Sequence, residues 1–142
     1  MRTFDLKLVQ SALKQYESNI LHLDIKEWLD NPANVALTNE AGDIALFERQ
    51  WRHPRMVFGH YFFHSRGKQA REAAKAFLTE LFSGPYGIEI VAGLTPLDNK
   101  GARWMNRQLG FNKIDEVETD VGPCEVVSMF KKDWLEGDKI NE

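Results

Sequence analysis

The stretch HSRGKQAREAAKAFL, residues 64–78, decides the fold. Its first part is a polar turn and its second part the start of a helix. Ala70, Ala73, Ala74, Phe77, Leu78 and Leu81 recur at i, i+3, i+4, i+7, i+8 and i+11, which predicts one apolar stripe against a core. Ser83-Gly84-Pro85 supplies the stop. The stripe needs no ligand to explain it. The turn does raise that question, because a helix start offers unpaired N–H groups and the positive end of a dipole, both suited to a phosphate.

Outward from this helix the pattern alternates. Leu6, Val9, Leu13 and Tyr16 predict an amphipathic helix over 5–18, and DIKEWLDNP a short second one stopped at Asn31-Pro32. VALTN, EAGD and IALFERQ read as strand, tight turn and strand. WRHPR turns the chain into MVFGHYFF, a third strand expected to be largely buried. Beyond the central helix, GIEIVAGL reads as a strand. Asp98 or Asn99 then caps a helix carrying Ala102, Met105 and Leu109 on one face, closed by Gly110. FNKIDEVET and CEVVSMFKK pair around DVGP as a carboxy-terminal hairpin. Three strands in a meander followed by a strand–helix–strand crossover imply a mixed sheet with helices on its faces, an α/β or α+β class. The expected division is one domain over 1–142: a helical region over 1–32, the meander over 33–64, the central helix over 65–84, strand and helix over 86–111, and the hairpin over 112–134.

Composition bounds the function. The chain has 142 residues, 27% of them charged and 43% apolar, which suits one folded domain and argues against disorder. A net charge of −3 and no long basic stripe argue against a nucleic-acid partner. The basic residues that do cluster, over 66–71 and at Lys100, Arg103 and Arg107, fit a small anion better. Cys124 is the only cysteine, so no internal disulfide forms, and it reads as structural. The first residues are charged too early for a signal peptide, and no apolar run reaches the roughly 20 residues that span a bilayer. A cytoplasmic protein without a membrane partner is the expectation. His60 and His64, at i and i+4 on a strand, stand roughly 13 Å apart, too far to share a metal ion. No metal site is expected. His60 reads first as a hydrogen-bonded sheet histidine, and Trp51, Trp104 and Trp134 as packing residues at element ends.

Element order, the turn Arg66-Gly67-Lys68-Gln69-Ala70-Arg71 and the run NKGARWMNRQLGF together resemble the GNAT superfamily of acetyl-CoA-dependent N-acetyltransferases, over about residues 33–131. The family's pyrophosphate turn is Gln/Arg-x-x-Gly-x-Gly/Ala. Arg66 fits its first position, while Gln69 and Arg71 replace both pattern glycines. Asn99, Ala102, Leu109, Gly110 and Phe111 match the second motif in register.

The resemblance implies a sheet splayed between MVFGHYFF and GIEIVAGL, acetyl-CoA or CoA as cofactor, and an amine as acceptor. It implies a cofactor site at Phe62, Phe63, Arg66, Gly67, Lys68, Gln69, Ala70, Arg71, Asn99, Ala102 and Arg103. It places candidates for the catalytic base at Glu48, His60 and Tyr61. Asn106 stands where many members carry the Tyr that protonates the leaving thiolate, and an amide cannot do this. The stretches HYFF, SRGK and AREAA, with ARWM and RQLGF downstream, also resemble GNAT-like proteins of tailed bacteriophages that sit among genes for head assembly and internal virion proteins. That second resemblance implies protein partners in a virion, and a fold kept for assembly rather than acyl transfer.

Overall fold

A computed structural model describes residues 1–15 and 24–140. Two short helices come first, α1 (Leu6–Gln15) and α2 (Ile25–Asp30). Asp24 caps α2 through the amides of Lys26 and Glu27. The predicted continuation of α1 to residue 18, with Tyr16, lies outside the described residues. The meander follows as β1 (Val35–Thr38), β2 (Ile44–Gln50) and β3 (His53–Phe62). The central helix α3 (Gly67–Ser83) leads to β4 (Ile90–Pro96) and α4 (Lys100–Leu109). The hairpin β5 (Asn112–Thr119) and β6 (Gly122–Phe130) runs directly into α5 (Lys131–Ile140).

These strands form one sheet in the order β1-β2-β3-β4-β6-β5, antiparallel everywhere except between β3 and β4. The mixed, mostly antiparallel α/β architecture is therefore the expected one. Strand alternation sends neighbouring residues to opposite faces. Val35, Leu37, Ala45, Phe47, Val57 and Val91 face one way, onto the α3 stripe and Leu109, Met129 and Trp134. Ala36, Ile44, Leu46 and Phe62 face the other way, onto Val9 and Ala12 of α1 and Trp28 and Leu29 of α2. All six residues of the predicted α3 stripe are buried. Each large one stabilises the fold by about 1.5–3 kcal/mol.

Several boundaries move. β3 begins at His53, so the turn shrinks to Trp51-Arg52 and Pro54 lies inside the strand. Proline is tolerated there because pairing with β4 does not start until Met56. The Arg49 guanidinium braces this corner, donating to the carbonyls of Ala33, Pro54 and Tyr86. Trp51, expected to pack, is 82% exposed at the hairpin tip. β4 begins at Ile90 rather than Gly87, whose φ of 68° makes a turn. The carboxy-terminal hairpin ends at Phe130, and the segment taken as its last residues is the start of α5. Trp134 of α5 is buried against α3, its Nε1 donating to Thr79 Oγ1 at 3.0 Å.

β3 is also less buried than expected. Only Val57 and Phe62 are fully enclosed along it. The cause is its pairing with β4, which holds at Met56–Ile90, Val57–Val91 and Phe58–Ala92 and then stops. Beyond that point both strands run on, to Phe62 and Pro96, without pairing to each other.

Candidate functional site: a slot between two parted strands

The parted ends of β3 and β4 frame a cavity of about 680 Å³. Its inner wall is apolar, from Ala70 and Ala74 of α3, Val91, Leu109, Phe111 and Val127. The first residues after the last β3–β4 pair are Gly59 and Gly93, both lining it. A Cβ at Gly59 would stand 3.2 Å from Tyr61 Oη and 3.3 Å from Phe47 Cε1. Glycine inside a strand marks close approach by another group. Two of them facing each other across the opening keep it wide enough for a thin ligand arm.

The polar turn forms the mouth on the α3 side. Ser65, Arg66 and Gly67 line the cavity, as does Ala70. Gly67 has φ +55°, the left-handed region that favours glycine. Arg66 is the N-cap residue of α3 and gives no side-chain cap. The amides of Gln69 and Ala70 reach the Arg66 carbonyl, at 3.2 and 3.5 Å. Those of Gly67 and Lys68 have no partner among the described residues. The Arg66 guanidinium folds back, donating to the carbonyls of Phe63 and Ser65.

One residue with no sequence-based role holds this turn in place. Asp43, fully buried just before β2, accepts from the amides of His64 (2.7 Å) and Ser65 (2.8 Å) and from Ser65 Oγ (2.7 Å). Asn39 Nδ2 donates to it as well, at 3.0 Å. Burial pushes the carboxyl pKa up, but the bonds from Ser65, Asn39 and His64 outweigh it and hold the group below the usual value.

α4 closes the opposite side. Asn99 lines the cavity and caps α4, its Oδ1 accepting from Ala102 N at 3.0 Å. Gly110 ends the helix at φ 86°. Ala102, Trp104, Met105 and Asn106 add to the lining. Asn106 Nδ2 donates to Thr95 Oγ1 on β4 at 2.9 Å.

The catalytic candidates separate. Glu48, on β2 opposite Phe58, does not line the cavity. His60 and Tyr61 both line it but point to opposite faces of β3. Burial lowers the His60 pKa, so the imidazole is neutral at pH 7 and able to accept a proton. Tyr61 lies edge-on to Phe47 and stacked with Phe63, its hydroxyl enclosed and unpartnered. Burial raises its pKa, so the phenol stays protonated and is no base.

The cofactor-binding candidates separate too. Phe62 and Phe63 line the slot where β3 ends. Lys68, Gln69 and Arg71 lie outside the lining. Arg71 donates to Gln108 Oε1 at 3.2 Å and so ties α3 to α4. Arg103, expected to meet phosphate, lies 3.4 Å from the buried Glu125 carboxylate and donates to the Leu97 carbonyl. Lys68, Lys100 and Arg107 are exposed and carry no ion pair among the described residues. No group of three or more His, Cys, Asp or Glu suited to a metal occurs among the described residues.

Fold and slot together define a GNAT-type acetyltransferase fold. The solved structures that it resembles make this concrete. Spermidine/spermine N-acetyltransferase SpeG from Vibrio cholerae superposes with a TM-score of 0.73 at 10% identity, covering 96% of this chain and 94% of that one. A chimera of the Vibrio cholerae spermidine N-acetyltransferase SpeG with hSSAT gives 0.72 at 13% identity, over 93% and 94%. Ribosomal-protein-S5-alanine acetyltransferase from Vibrio fischeri gives 0.56 at 17% identity, over 65% and 55%. No protein-family model and no curated protein matches the sequence. At such identities the likeness speaks for the fold. No described helix is long and apolar enough to cross a membrane.

Proposed function

We propose that this chain binds a CoA-type ligand in the β3–β4 slot and uses it as an N-acyltransferase toward an amine. The observation that carries this is the slot itself: parted strands and two facing glycines line one cavity, with the unspent amide of Gly67 at its mouth and that of Lys68 next in the chain. The residues present fit the group. An apolar channel suits a pantetheine arm, and free amides at the start of a helix suit a pyrophosphate. A bound acyl-CoA would supply an activated thioester. His60, neutral and at the slot, takes the proton of the attacking amine, directly or through water. Lys68, Lys100 and Arg107 remain available to the nucleotide phosphates.

A second reading has its own support. Asn106 is held by Thr95 in the place of the family's proton donor, and Arg71 and Arg103 are committed within the chain. These bonds favour a protein that keeps the slot but turns over slowly or not at all. The virion-assembly role implied by the phage resemblance belongs to this reading, with protein partners in place of an amine substrate.

Calorimetric titration with CoA and acetyl-CoA tests the proposal. Micromolar binding of both is expected. A folded chain that binds neither at millimolar ligand refutes it. Acetyl-CoA consumption with a panel of amines then separates the two readings.

A further inference from the structure

We propose that Asp43 is a positioning residue for the ligand's pyrophosphate, acting through the turn at 64–67; this rests on the CoA reading above. Its carboxylate belongs to the β1–β2 connection, yet three of its four hydrogen bonds go to His64 and Ser65, just past the end of the neighbouring strand β3. The fourth comes from Asn39, whose Oδ1 also accepts from the Asp43 amide at 3.0 Å. Thr38 Oγ1 donates to the Asp43 carbonyl at 3.0 Å and fixes the other side. Gly42 completes the junction: its φ is +83°, and a Cβ there would stand 3.0 Å from His64 Cδ2. The two turns therefore interlock.

What this arrangement leaves free is as telling as what it binds. A Ser, Asp or Asn at the N-cap of α3 would fix the helix start by accepting from an amide of the first turn. Arg66 makes no such bond. The turn is held from outside, by a carboxylate ending one residue before the cap. The helix start is thereby fixed while the amides of Gly67 and Lys68 stay unspent. A carboxylate suits the task because it only accepts, with room for all four donors. An amide at 43 would turn an NH₂ toward at least one of those donors.

The test compares two ligands on the full chain. CoA carries the pyrophosphate and pantetheine does not. Asp43→Asn is expected to weaken CoA by about tenfold or more, in keeping with hydrogen bonds to a charged group. Pantetheine affinity, read by ligand-observed NMR, is expected to hold within about twofold. Ser65→Ala removes one donor and keeps both backbone amides, so its loss for CoA is smaller, about two- to threefold. Equal loss for both ligands, or unchanged CoA affinity in folded Asp43→Asn, overturns the proposal. Where Asp43→Asn fails to fold, Ser65→Ala and Asn39→Ala decide by the same split between ligands. A wild-type chain that binds no CoA removes the underlying reading and this proposal with it, whereas wild-type binding with no effect at Asp43 removes the proposal alone.

Discussion

The starts of α3 and α4 stand on opposite sides of one slot, and they are finished differently. α4 caps most of its own start: Asn99 takes the Ala102 amide and the Asp98 carbonyl that of Lys100, while the Gly101 amide has no partner among the described residues. α3 is left open, its first two amides unpartnered and its turn secured by Asp43 of another element. A self-capped helix is complete as a folding unit. One braced from outside keeps its donors for something else. On the proposed CoA reading, the ligand's charge goes to the α3 side and α4 serves as wall and scaffold.

The largest effect expected from this contrast is at Gly67. Gly67→Pro removes a donor amide and forces φ to about −65° where the chain needs +55°. CoA binding should fall by about 100-fold or more, a loss of about 2.7 kcal/mol. Titration of the folded variant checks it, and retained affinity would take the turn out of the site. A smaller and opposite signature belongs to Asn99→Ala. Losing that cap should cost about 1 kcal/mol of stability in denaturant unfolding. CoA affinity should shift by no more than about threefold. A larger loss of CoA than of stability would make α4 a partner in phosphate binding and blur the distinction drawn between the two helices.

The sequence revealed these helices unequally. The α3 stripe was legible because burial on one face imposes a 3.6-residue period on residues 70–81. Asn99 and Gly110 were legible because a cap and a left-handed stop are local events. The slot itself left a weaker mark, a glycine inside each of two strands, at Gly59 and Gly93. Asp43 left none, since its partners His64 and Ser65 lie 21 and 22 positions away. The same distance in sequence hid the Arg103–Glu125 pair, which takes a cation away from the predicted phosphate set. α5 was missed for another reason. KKDWLEGDKI has few apolar residues and a glycine at 137, and its buried anchor Trp134 read equally well as a strand end.

Amide hydrogen exchange with and without CoA tests the central claim most directly, because it reports where the ligand sits and not only that it binds. The account predicts new protection concentrated at 59–63, 67–70 and 93–96, along the parted strands and the open helix start. The self-capped first turn of α4 should change less. Binding accompanied by protection elsewhere, with those three segments unchanged, would contradict it.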